Sequence, residues 1–204
     1  VTPLTPLGIA VIGMRSGERL SAAAVMLNAP GVVQEAVDTA ALGGLVCGHV
    51  RLDGAPFTPV GPTMPFMSRV RILLSAAGLG MGRRALRESL VAAHGRTGHG
   101  AGGEQTVQGL LADAATELDA AMLLTWKAAA ASNLSFADAS MAKLAATEAT
   151  QRAVARATQV VGADSFRRGH IVERLAQDVR TLELFAGRTE ALREAVALET
   201  LPRA

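Results

Sequence analysis

The chain has 204 residues, room for one domain of ordinary size or a small domain with part of another. Half of the residues are hydrophobic and 19% are charged, so a sizeable core can be buried and intrinsic disorder is excluded. With 20 basic against 18 acidic residues, 3% aromatics and one cysteine, the composition argues against a nucleic-acid partner, a base-stacking surface, a disulfide framework and an all-cysteine zinc site.

Gly8–Gly13 (GIAVIG) reads as a buried strand, followed by a polar turn at Arg15-Ser16-Gly17-Glu18. Leu20–Leu27 (LSAAAVML) is a second apolar run, ended by Asn28-Ala29-Pro30-Gly31, and Val32–Val37 predicts a third strand. In Leu45–Leu52 (LVCGHVRL), Val46, Gly48, Val50 and Leu52 share one parity and Cys47, His49 and Arg51 the other, the alternation of a strand. Asp53-Gly54 marks a turn, and Pro56, Pro59 and Pro62 are expected to break any regular structure after it. Residues 1–62 thus predict a β segment of three to five strands, too small for more than a thin core and expected to lean on something else.

After Pro65 the period becomes helical. Ser68–His94 contains no proline and carries Ile72, Leu73, Ala76, Leu79, Leu86 and Leu90 at helical spacing, a helix about 40 Å long. Gly95–Gly103 (GRTGHGAGG) must be a loop. Gln105–Ala131 predicts a second helix, broken at Asn133-Leu134-Ser135, where Ser135 can cap the next helix with Asp138 in capping-box position. That third helix should run to about Val161, with Gly162–Gly169 a loop and His170–Phe185 and Thr189–Leu201 a fourth and fifth helix. Short connections between such helices predict an antiparallel bundle over residues 63–204. No stretch of 18 apolar residues is free of charge, so no membrane span is expected. The first residues lack the layout of a signal peptide, and with one cysteine the cytoplasm is the expected compartment.

On chemistry alone, no histidine pairs at metal-ligand spacing, so no metal site is expected. The 95–103 loop is neither a Walker motif nor a Rossmann fingerprint. Its simpler reading is an inter-helix connection. It also precedes a helix N-terminus and carries Arg96, with Gln105 just beyond, a set that suits phosphate or pyrophosphate. Glu117 with Asp119 reads as solvated or helix-pairing charge rather than a catalytic pair.

In order along the chain, the helical half resembles the C-terminal domain of the acyl-CoA dehydrogenase family, flavoproteins that desaturate acyl-CoA thioesters between Cα and Cβ. Leu111-Ala112-Asp113-Ala114-Ala115-Thr116-Glu117 is similar to the family's LADMATE run, and Ala139-Ser140-Met141-Ala142-Lys143-Leu144 to ASMAKLF. Gln159-Val160-Val161-Gly162 resembles QIFGG, Val172-Glu173-Arg174 with Asp178 resembles VERYMRD, and Phe185-Ala186-Gly187-Arg188-Thr189-Glu190 stands where the family has YEGTSE. No gap is needed from Gln105 to Arg193. Ala29-Pro30-Gly31-Val32 resembles the TPGV before the last strands of the family's middle β domain, so the sequence given begins late in that domain. The resemblance implies an α+β fold: a partial β-sheet or barrel segment, 1–62, then a C-terminal antiparallel helical bundle, 63–204.

The resemblance also implies site residues. Arg96-Thr97-Gly98-His99-Gly100 is similar to the family's RxxFG loop, whose Arg, with the following Gln, contacts FAD of a neighbouring subunit. Arg96, His99, Gln105, Gln159, Gly162 and Arg188 are the cofactor-binding positions so implied; a side chain at 162 would block close approach. The family's usual catalytic Glu falls at Ala186, and the minority position, early in the first helix before an Arg, falls at Val70, with Arg71 the Arg. Neither alanine nor valine accepts a proton. No catalytic residue is therefore assigned. The expectation is a base-less subunit of a heteromeric FAD-dependent acyl-CoA dehydrogenase, such as a heterotetramer of lipid metabolism. Its partner would be a full-length homologue, or the chain itself in a homo-oligomer, and acyl-CoA the substrate. A flavin-free binding or scaffold member of the family is the alternative, favoured by Asp164 and Arg188 at positions implied to face the cofactor.

Overall fold

A computed structural model, which describes residues 2–3, 8–95 and 105–201, has six strands in the first part of the chain among those residues. They are β1 (Thr2–Pro3), β2 (Ile9–Ser16), β3 (Arg19–Met26), β4 (Val32–Val37), β5 (Cys47–Leu52) and β6 (Thr58–Pro62). Antiparallel pairing gives two three-stranded sheets, ordered β1-β5-β4 and β2-β3-β6. The β2–β3 hairpin pairs Ile9 with Met26 through to Ser16 with Arg19 across a two-residue turn. β2 is not the fully buried strand its composition predicts. Ile9, Val11 and Gly13 face out and Ala10, Ile12 and Met14 are half-buried, a period of two that composition hides because both faces are apolar. The prolines are also tolerated more than expected. β6 contains Pro59 and Pro62 because it is the sheet's edge, where a missing N–H costs no ladder bond on the open side, and a bulge between Ala22 and Ala23 adjusts the register. The core of this part is thin: Ala22, Ala23, Val25, Leu27 and Cys47 are its buried hydrophobic residues.

The chain divides into two compact units, Val1–Met67 and Ser68–Ala204. The second holds α1 (Thr63–Gly95) from Ser68 onward, α2 (Gln105–Ala130), α3 (Phe136–Val161), α4 (Ile171–Thr181) and α5 (Thr189–Thr200). α1 begins before Ser68 because Pro65 sits in its first turn, where a backbone N–H has no helical partner to lose. Ser135 caps α3 as its spacing predicts: its Oγ accepts from the Asp138 N–H at 2.9 Å, and its hydroxyl donates to Asp138 Oδ2 at 3.1 Å. His170 caps α4, Nδ1 accepting from the Val172 N–H at 3.2 Å. The segment expected to be a loop after α3 opens with a 3₁₀ turn, Gly162–Phe166. α4 stops at Thr181, short of the predicted Phe185, because the next amides fold back onto its last carbonyls: Glu183 onto Arg180, Leu184 and Phe185 onto Thr181.

α3 is the axis of the bundle. Ser140, Lys143, Thr147, Thr150, Val154, Ala157 and Val161 follow an alternating three-and-four spacing, and all are buried. A second stripe, Ala139, Ala142, Ala146, Ala149 and Ala153, is buried beside it. One core cluster joins Leu79 of α1 and Ala114, Leu118 and Ala121 of α2 to the alanines of α3. Another joins Ala85 of α1, Val154 and Ala157 of α3, and Val172, Leu175 and Val179 of α4. The small residues of α1 serve a close helix neighbour. A Cβ at Gly82 would lie 2.5 Å from Leu118 Cδ2 and 3.4 Å from the Thr150 Cα.

Candidate functional site

Two positions far apart in the chain meet in the bundle. Arg71, beside Val70 on α1, donates from Nε to the Ala186 carbonyl at 2.9 Å. Its Nη1 donates to Ser140 Oγ at 2.7 Å, and its guanidinium lies 3.9 Å from the Phe136 ring centroid. Ser140 in turn donates to the Phe136 carbonyl at 2.5 Å. Arg71 is only 5% exposed, and burial pushes its pKa down. Ala186 itself has φ 57, a left-handed conformation that costs a non-glycine residue about 1 kcal/mol and is held here by the Arg71 bond. Gly187 follows at φ 117, and a Cβ there would come within 3.0 Å of Arg71 Nη2. The residue after one candidate base position thus bonds the backbone of the other, and the side chains at 70 and 186 are aliphatic.

One turn along α3 from Ser140 is Lys143, fully buried. Its Nζ donates to the Leu182 carbonyl and, at 2.9 Å, to Thr147 Oγ1. Burial first, then the nearby Arg71 charge, lowers its pKa to about 8, against a smaller pull upward from Glu183. Glu183, the one carboxylate in the 182–187 turn, pairs with Arg180 at 3.7 Å. Sequence reasoning placed Arg71 only as the Arg after the minority base position and Lys143 only as a member of a matched run, and missed that they converge. A signal was present: Lys143 sits in register with the buried stripe of α3, where a solvated lysine has no place.

The other positions implied to bind a cofactor distribute as follows. Arg96 and His99 lie outside the described residues. Gln105 is the first residue of α2 and is exposed. Gln159 is exposed in the last turn of α3, which ends at Gly162. Gly162 has φ 73 and ψ −142, so its own backbone requires glycine, and its N–H bonds the Thr158 carbonyl. Arg188 precedes α5 as its N-cap residue and is exposed, with no side-chain capping bond. Asp164, which would oppose phosphate, is paired with Arg167 at 3.5 Å, so its charge is partly offset. Among the described residues no group of His, Cys, Asp and Glu side chains could hold a metal ion, and no helix is long and apolar enough to cross a membrane.

Away from this locus, Glu117 ties α2 to α3. It accepts from Arg156 through both oxygens at 2.8 Å and from Arg152 at 2.7 Å, and Arg152 and Arg193 also reach Glu148. These are structural ion pairs, in keeping with the reading of Glu117 as a helix-pairing charge.

Residues 62–201 match the family model described as acyl-CoA dehydrogenase, C-terminal domain. The mitochondrial short-chain specific acyl-CoA dehydrogenase of Bos taurus is 35% identical over 132 residues, 62% of this chain and 32% of that protein. The 3-sulfinopropanoyl-CoA desulfinase of Paraburkholderia xenovorans is 38% identical over 95 residues, 46% of this chain and 24% of that protein. Among solved structures, a glutaryl-coenzyme A dehydrogenase in complex with glutaryl-CoA superposes with a TM-score of 0.83 at 25% identity, covering 94% of this chain and 53% of the other. The chain thus spans about half the length of that solved relative, and its matched segment about a third or less of the curated ones.

Proposed function

We propose, from the premise that the chain belongs to the acyl-CoA dehydrogenase family, that it is a subunit of an FAD-dependent assembly desaturating an acyl-CoA thioester and does not itself carry the base of that reaction. Desaturation needs a carboxylate for the α-proton, and bound FAD supplies the acceptor of the β-hydride. What supports the reading is that neither candidate base position carries a proton acceptor: Val70 and Ala186 are aliphatic, and Arg71, the residue after Val70, bonds the Ala186 carbonyl. The base then comes from a partner subunit, a full-length homologue. Arg96, His99, Gln105, Gln159, Gly162 and Arg188 are this chain's contribution toward FAD. A cytoplasmic location belongs to the same reading, supported by the single cysteine.

The full-length protein co-expressed with such a homologue is expected to give a yellow complex with one FAD per heterodimer. Purified alone, it should not reduce an artificial electron acceptor with acyl-CoA. Turnover by the chain alone overturns the proposal. Arg188, where the family places a flavin-contacting threonine, favours a second reading, a flavin-free scaffold. A complex with no flavin absorbance establishes that one.

A further inference from the structure

We propose that Lys143 is a positioning residue: by holding the Leu182 carbonyl it fixes the end of α4 and the turn that presents residue 186. The physical case starts from cost. A fully buried lysine gives up the hydration of its charge, and its acceptors, the Leu182 carbonyl and the Thr147 hydroxyl, are both neutral. Arg71 from α1 raises that cost, and Glu183 from the turn offsets part of it. Methionine would fill much the same volume without the penalty, so stability of the core does not account for an ammonium here.

Position does. α4 ends at Thr181, and Leu182, its C-cap residue, turns a carbonyl into the bundle where no helical N–H can reach it. Lys143 supplies the donor. A cation at a helix C-terminus also complements the negative end of the helix dipole. Four residues on, Arg71 takes the Ala186 carbonyl. The turn is therefore tied at Leu182 and at Ala186 by buried cations from two different helices, and at the second tie Ala186 keeps its left-handed conformation. That residue 186 borders a ligand rests on the function proposed above; the hold of Lys143 on the turn does not.

Hydrogen exchange on the full-length protein as purified tests this without cofactor or substrate. The amides of Glu183, Leu184 and Phe185 bond the last carbonyls of α4 and report whether the turn is closed. In Lys143→Met these three amides should exchange at least about tenfold faster while the urea midpoint does not fall, because a local opening is then uncoupled from global unfolding. A residue that merely fills the core would move both together. The proposal is overturned if the three amides are unchanged in the variant, or if they accelerate only in step with global stability. Should Lys143→Met not fold, Lys143→Gln decides on the same two readouts: the three amides accelerating with the urea midpoint kept supports the proposal, and unchanged amides refute it. A flavin-free or inactive protein leaves either result readable.

Discussion

Lys143 and Glu117 have pKa values displaced for opposite physical reasons, and each makes stability depend on pH in its own window. Lys143 is lowered to about 8 by burial, with Arg71 adding to it. Below that pH the folded chain carries a buried charge that the unfolded chain carries in water. Between about 8 and the ordinary lysine value near 10.5 the folded protein has shed its proton and the unfolded chain still holds it, so stability rises with pH. Urea midpoints measured from pH 7.5 upward should show this rise as a contribution that Lys143→Met abolishes; identical pH slopes in the two proteins would contradict it. Glu117 is lowered to about 2, chiefly by the bonds from Arg156, then by Arg152, against burial. Its stabilisation is present above the ordinary carboxylate value near 4.5 and is lost as pH falls toward 2. Glu117→Gln should weaken the protein at neutral pH and flatten its acid-side slope in the same assay.

Elements of the bundle are set by how closely their backbones approach, and α1 makes this testable with two glycines a half-turn apart. Gly80 has nothing within 4 Å of a Cβ built on it, so Gly80→Ala should stabilise by about 0.5–1 kcal/mol through helix propensity alone. Gly82 gains the same propensity but places its methyl 2.5 Å from Leu118, itself 1% exposed and unable to swing into solvent. Overpacking of about 1–3 kcal/mol exceeds the gain, so Gly82→Ala should be net destabilising. Thermal or urea unfolding of the pair reads the sign directly, and stabilisation by both substitutions would mean that α1 is not pressed against α2 and α3. Helix ends were the part of each element least open to sequence reasoning. Ser135 declared itself through the Asp138 three residues on, whereas the carbonyl at the end of α4 is bonded by Lys143, which lies 39 residues before Leu182.

At the scale of the whole chain, apolar surface exceeds what the chain covers for itself. In the bundle Leu73, Val91, Leu123, Trp126, Leu184 and Leu198 are each more than half exposed, and in the strands Ile9, Leu20 and Val33 are too. Isolated exposed leucines are ordinary, but nine large apolar side chains each more than half exposed give this chain ample apolar surface that a partner could cover. The native mass of the full-length protein should therefore exceed that of one polypeptide, and a monodisperse monomer at micromolar concentration would argue that these faces stay open. Family members form oligomers, and which chain lies opposite is the matter of the co-expression test above.

Period and punctuation along the chain determined where the strands give way to helices, which residues break the helices, and, through five matched runs in unbroken order, the family. Those are local properties, carried by residues a few positions apart, so a linear reading reaches them. Tertiary structure alone decided that Pro59 and Pro62 lie on a sheet edge, that Gly82 is a contact, and that Arg71, Ser140 and Lys143 converge on the turn holding Ala186. Each depends on what stands opposite in space. A lysine in sequence is an exposed charge until the fold surrounds it, and nothing in the sequence around Ala186 shows the left-handed backbone that the bond from Arg71 accompanies.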